Sequence, residues 1–290
     1  VSFLKFKEAF SKLQKASKTH NKPIWIYTAG DYGFTNYIKN SYTFRLCGFK
    51  SKLTEETFIL PSFINDPYTN HLTSNFLTNK REEFPTIGFV GHAQTGLKKY
   101  LKELINHLEY WVKRNCHMLL ADAQPFYPSS IKRAYYLSVL QKSKFLKTDF
   151  ILRKKYRAGI HNKETKLKSS QEFYNNIFNN AYTFCSRGVG NFSVRLYEVL
   201  AVGRIPVLLN TDCKLPLEEE IDWKKHCIIL DLKSKISLEK QILNFHNDTF
   251  ETSFETIQKN NRLLWETHLK RPEYFIKIHD VFVNKMNLNG

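Results

Sequence analysis

Two hydrophobic periods divide this chain. Near the start, Phe3, Phe6, Phe10 and Leu13 recur at helical spacing between lysines, which predicts a helix over residues 3–17. Residues 23–28 then form a continuous apolar run, the pattern of a buried strand. Residues 42–46 and 57–60 predict two more short strands. Asp66-Pro67 marks a turn, and 70–85 reads as a helix or linker. A strand over 86–91 precedes a long helix over 97–112. There Leu97, Leu101, Leu104, Ile105, Leu108 and Trp111 line up as a stripe expected to face the core. Further along, the pattern predicts a strand at 117–120, a helix at 131–141, an extended segment at 143–152 and a short helix at 173–180. The last elements are a strand at 227–230 and helices at 236–245, 254–269 and from Pro272 onward.

The densest information lies in residues 181–223. An apolar strand at 182–185 leads into a polar, glycine-bearing loop at 186–193. Ser193 is placed to cap a helix over 194–202. Gly203 stops that helix by permitting a left-handed turn. A second strand follows at 205–209, with Pro206 near its start, where a missing donor does least harm. Strand, loop, helix and strand make half of a doubly wound α/β unit, and such sheets bind ligands beyond the carboxyl ends of their strands. A helix N-terminus beside Arg187 and Arg195 suits a phosphate or diphosphate. The same residues also read as a tight turn carrying surface arginines, and the pattern leaves both readings open.

The order of residues in this segment resembles the C-terminal signature of the exostosin-like glycosyltransferases (glycosyltransferase family 47-like). Gly188, Gly190, Ser193 and Arg195 fit its glycine loop. Glu198, Leu200, Gly203, Ile205, Pro206 and Val207 fit the helix and strand that follow, and Asp212, Leu215, Pro216, Ile221, Asp222 and Trp223 fit its ending. The likeness is clearest over about 45 residues and continues more weakly back to Phe89.

That resemblance implies an α/β fold of the GT-B type, with two Rossmann-like domains facing across a cleft and the first of them small. Residues 1–80 are expected on the acceptor side and 81–270 around the nucleotide-sugar, with a final helix, 271–290, returning to the first domain. The implied activity is an inverting transfer of a sugar from a nucleotide-sugar to a glycan acceptor. The chain contains no Asp-x-Asp, so no metal and no cofactor beyond the donor substrate is expected.

The resemblance also implies roles. Arg187 and Arg195 would hold the diphosphate with the backbone around Gly188, Gly190, Asn191 and Ser193, Arg195 stabilising the charge that builds on the leaving group. Glu198 would take the ribose hydroxyls, and Asp212 either a donor hydroxyl or the cap of a turn. Gly91 and His92 belong to the facing loop, and Arg153 and Arg157 extend the positive wall. Asp31, at the end of the first strand between Gly30 and Gly33, is the expected general base by position. An Asx-type turn without a catalytic role competes for that residue, and Asp122 is a weaker alternative base.

Charge narrows the partners. With 44 basic and 27 acidic residues the formal net charge is +17, which favours anionic ligands, acidic glycans or an anionic membrane face. No zinc-finger spacing, RNP-like pattern or arginine-rich arm accompanies it, so no specific nucleic acid is expected. The alternative is a catalytically inactive GT-B-like protein or a basic nucleic-acid or polyanion binder. Five scattered cysteines form no disulfide or metal pattern. With no signal-like or membrane-spanning run, the expectation is a cytoplasmic enzyme, peripheral to a membrane at most. Its acceptor would be a lipopolysaccharide or another surface polysaccharide.

Overall fold

The structure, a computed structural model, describes residues 3–28, 30–154 and 163–288. It contains two parallel sheets. The first unit comprises α1 (Phe3–His20), β1 (Ile24–Tyr27), β2 (Ser41–Arg45) and β3 (Thr57–Ile59), in the order β1-β2-β3. The short α2 (Pro67–Asn70) leaves it, capped by the Asp66 carboxylate on the Tyr68 amide. The second unit begins with β4 (Thr86–His92), α3 (Leu97–Asn115), α4 (Ser129–Gln141), β5 (Lys147–Arg153) and α5 (Lys163–Asn179). It continues through β6 (Tyr182–Cys185), α6 (Val194–Val202), β7 (Ile205–Asn210), β8 (Ile228–Asp231), α7 (Leu238–Asn247) and α8 (Glu251–Leu264). Its strands run in the order β5-β4-β6-β7-β8, every pairing parallel. A π-helical turn, Trp265–Leu269, leads into α9 (Arg271–Leu288).

Both faces of the five-stranded sheet are covered, as a parallel sheet requires. One core gathers Cys185 and Leu208 with Leu196, Leu200 and Trp265, and the other gathers Phe89, Phe184 and Val207 with Leu137, Ile242 and Phe254. On the first sheet, Phe44 packs with Tyr274, Ile278 and Phe282 of α9. The Tyr274 hydroxyl donates to the Ile59 carbonyl at 2.9 Å, tying α9 to β3.

Around 181–210 the local chemistry explains the elements. Four consecutive buried side chains make β6, which is sandwiched between β4 and β7. Gly203 sits at φ 75° and closes α6 through the Leu200 and Val199 carbonyls. A Cβ there would stand 2.4 Å from the Phe76 ring, so the stop also needs the smallest residue. Arg204, fully buried, donates to the carbonyls of Phe178 and Leu77. It thereby holds down 71–85, which contains no helix. Asn79 and the Gln258 side chain exchange two further hydrogen bonds of 2.8 Å in that connection.

Several expectations are corrected. The stripe on α3 faces solvent: Leu97 is 73% exposed, Ile105 63% and Trp111 57%. The buried face is the aromatic and polar one, because Tyr110 packs on Tyr32 of the first unit at 4.7 Å and donates its hydroxyl to the Asp122 carbonyl. Helical period identifies an apolar face without saying what covers it. Residues 117–120 form no strand; His117 turns left-handed at φ 58° and the amides of Met118 and Leu119 return to the Lys113 carbonyl. The helix expected over 173–180 starts much earlier, at Lys163.

Candidate active-site cleft

The chain leaves β4 to one side for β5 and returns to the other side for β6, so the sheet has a topological switch point between β4 and β6. The crevice beyond the carboxyl ends of those two strands is where such folds take ligands. A cleft of about 1190 Å³ opens there. Its walls are the loop after β4, the loop after β6, the N-terminal turn of α6, the inner face of α3 and the loop after β1, so both units contribute.

Arg195 stands at the centre of that wall. Its Nη2 donates to the Val90 carbonyl at 2.7 Å, and the guanidinium lies 4.3 Å from the Phe89 ring centroid and 5.4 Å from that of Phe173. Its Nε is buried without a partner, and no carboxylate pairs with it among the described residues. Burial therefore pulls its pKa down, against the opposing pull of Cys185 and Glu198. Gly91 makes room for it: a Cβ at position 91 would lie 2.9 Å from Nη2. The cation is thus positioned by a carbonyl and two rings, with donor capacity unused.

Glu198 lies one helical turn further along α6 and also lines the cleft. Burial pushes its carboxyl up to about 7, while Arg195 draws it the other way. Ser193 occupies the N-cap of α6 in extended conformation, but its side chain makes no capping bond, which corrects the expected cap. The orphan amides of the first turn consequently find no side-chain partner. Ser193 and Gly188 both line the cleft.

Other sequence candidates occupy different places. Asn191 is fully buried, donating from Nδ2 to the carbonyls of Gly48, Thr211 and Asp212 and accepting from the Thr211 hydroxyl at 2.6 Å. Its side chain joins the β6 loop to the first unit. The Asp212 carboxylate accepts from the Ser51 amide and hydroxyl and does not line the cleft. Gly190 packs on the Asp31 backbone. Arg187 is 3% exposed, 4.7 Å from the Tyr127 ring centroid, with Nη2 on the Val189 carbonyl and Nε unpartnered. It lies behind the loop and outside the cleft lining.

On the facing side, His92 lines the cleft with Nδ1 3.1 Å from the Arg153 carbonyl, and burial lowers its pKa, so the ring is neutral near pH 7. Arg153 reaches the cleft but is engaged by Glu172 and the Ser169 carbonyl. Arg157 lies outside the described residues. Asp31 is exposed on the cleft wall, and its carboxylate accepts no hydrogen bond from the described residues. Asp122 is occupied: it accepts from the Thr35 amide and hydroxyl and from Arg45 at 2.6 Å.

Arg133 was not among the sequence candidates. It donates to the Ser186 hydroxyl and to the carbonyls of His92 and Arg187, joining the loops after β4 and β6 at the cleft floor. The signal was available: Arg133 lies four residues before Leu137 and seven before Leu140, both buried, so a cation stands on the apolar face of a predicted helix.

Two parallel-sheet α/β units face each other across a switch-point cleft, the arrangement expected of a GT-B-type fold. The chain carries an exostosin-like segment, since residues 153–244 match the family model described as the Exostosin GT47 domain. That stretch contains Arg187, Arg195, Glu198 and Asp212, but neither Asp31 nor His92. No curated protein matches the sequence. Among solved structures, TarM aligns at 11% identity and a TM-score of 0.40, covering 90% of this chain and 50% of its own. A glycosyltransferase from Rickettsia africae ESF-5 aligns at 12% identity and a TM-score of 0.41, covering 94% of this chain and 79% of its own. The chain thus spans half the length of TarM.

Proposed function

We propose that the protein is a glycosyltransferase that takes a sugar from a nucleotide-sugar and passes it, with inversion and without a metal, to a hydroxyl of a glycan. The observation that carries this reading is Arg195: a half-buried guanidinium whose Nε has no hydrogen-bond partner and which pairs with no carboxylate among the described residues, beside the N-terminus of α6, at the switch point of the sheet. A diphosphate placed there meets a fixed cation and open backbone amides, which stabilise negative charge best in a site shielded from water. Glu198, one turn along, accepts hydrogen bonds from the ribose hydroxyls.

In the transfer, the acceptor oxygen attacks the anomeric carbon from the face opposite the leaving group. The bond from that carbon to the terminal phosphate oxygen breaks, and its electron pair leaves with the diphosphate. Asp31, across the cleft and accepting no hydrogen bond from the described residues, takes the acceptor proton. The acceptor is a growing surface glycan such as a lipopolysaccharide, met at the cytoplasmic side of a membrane.

The test is thermal stabilisation by uridine and guanosine diphosphates and their sugars, set against oligonucleotides of similar charge. Stabilisation by one nucleoside diphosphate family, lost in an Arg195→Met variant, is the expected result. Stabilisation by oligonucleotides alone would transfer the protein to the polyanion binders.

A further inference from the structure

The outer face of α3 carries a hydrophobic surface that none of the described residues covers. At about 100° per residue, Leu97, Leu101, Ile105, Leu108, Trp111 and Val112 fall in an arc roughly 120° wide, and all six are solvent-exposed. Met118 and Leu120, just past the end of the helix, are exposed as well. Exposed apolar surface of this extent on one helix marks an interaction site.

Charge decides what it fits. Lys98, Lys102 and Lys113 follow one border of the arc and are exposed; α3 as a whole holds five Lys or Arg against two Glu. One of those carboxylates, Glu109, is paired with Lys113, and the other, Glu103, with Lys99 on the inner side. An apolar face bordered by long cationic side chains is the arrangement of a helix lying in a bilayer interface, its rings and aliphatic chains among acyl groups and its ammonium groups at anionic phosphates. No helix among the described residues is long and apolar enough to cross a membrane.

The opposite face of the same helix faces the cleft. Glu103, Asn106 and His107 are part of its lining, and Tyr110 fixes the helix to the first unit through Tyr32. We infer that α3 docks the protein on an anionic lipid surface through Leu101, Ile105, Leu108 and Trp111, with the cleft held just above the headgroups. The docking itself does not depend on the sugar chemistry proposed above. Combined with that chemistry, it assigns the acceptor to the membrane-borne class.

The test is co-sedimentation of the full chain with vesicles of phosphatidylcholine alone and of phosphatidylcholine mixed with phosphatidylglycerol. Binding is expected to the mixed vesicles and to be at least tenfold weaker to the neutral ones. Ile105→Glu with Trp111→Glu should lower vesicle affinity more than tenfold, and Lys98→Ala with Lys102→Ala on the order of tenfold. Trp223 and Trp265 are buried, and Trp25, 40% exposed, lies on β1, so in a Trp25→Phe background the emission blue shift on binding should come from Trp111 and vanish when Trp111→Phe is added. Leu101→Gln with Leu108→Gln is the second variant should the glutamates disturb folding. Equal binding to both vesicle types, or binding untouched by either apolar pair, overturns the proposal. So does a wild-type dimer that the glutamate pair turns into monomers, because a second copy then covers the stripe. Nucleoside diphosphate stabilisation measured on the same samples separates this failure from failure of the donor site.

Discussion

Gly190 lies against the backbone of Asp31: a Cβ built on the glycine would stand 2.0 Å from the Asp31 carbonyl oxygen. The loop after β6 and the loop after β1 therefore touch main chain to main chain, across the two units. Gly190→Ala must push one of them away, and the obstacle is backbone, not a side chain that can swing aside. The expected loss is about 1–3 kcal/mol of stability, with weaker donor binding because the displaced loop carries Ser193. Chemical denaturation checks the first and calorimetry the second; an unchanged midpoint would mean the contact is looser than its geometry.

Glu198 makes stability depend on pH. The folded chain keeps this proton up to about pH 7, whereas an ordinary glutamate releases it near 4.5. Between those values the folded state binds more protons than the unfolded one, so this group's contribution to stability falls as pH rises and is level above about 7. Glu198→Gln removes that slope. The variant should be more stable than the parent at about pH 8, by roughly 2–3 kcal/mol, and similar to it near pH 4. Urea midpoints at the two pH values decide it.

The same carboxyl ties donor affinity to pH in the other direction. Hydroxyl groups of a ribose donate to the ionised form, so nucleoside diphosphate affinity should rise as pH increases through about 7. Glu198→Gln should flatten that rise and weaken binding by roughly 1.5–3 kcal/mol. Calorimetric titrations of both proteins below and above neutrality test this, and parallel pH profiles would remove Glu198 from the site.

Arg195→Met keeps much of the side-chain volume between Phe89 and Phe173 while removing the unpaired cation. Turnover of the nucleotide-sugar should fall about 10²–10³-fold, or ~2.7–4 kcal/mol in the transition state. The melting temperature should hold or rise, since a buried charge without a carboxylate partner is itself destabilising. Rate and melting curve are to be measured on one preparation; a full-rate variant refutes the assignment.

Asp31→Asn preserves shape and removes the base. It should lower kcat about 10²–10⁴-fold and leave donor affinity unchanged, which steady-state kinetics and calorimetry separate. Activity should also persist in excess chelator, and a loss restored by Mn²⁺ would show that a metal takes part in holding the diphosphate.

Much of the second unit could be read from residues 181–210, because each boundary there is set locally. A run of buried side chains makes β6, Gly203 permits the left-handed stop, and Pro206 is tolerated early in β7. The site was legible in part for the same reason: the cation, the acid and the glycine loop lie within eleven residues of one another, 188–198. What could not be read depends on distant partners. Nothing near Asn191 signals that Gly48 will use its amide, nor near Asp212 that Ser51 will cap it. On α3 the period was read correctly and the environment was not, since its inward face is chosen by Tyr32 and Asp122 rather than by apolarity.

Several contacts hold the small half on the large one, among them the Asn191 amide bridging Gly48 to Thr211 and the Arg45–Asp122 ion pair on the α3 side. Contacts of this kind fix the spacing between the halves when the chain folds. A ligand then meets a preformed frame, and the entropic cost of aligning its two walls is met once, when the chain folds, instead of in every catalytic round.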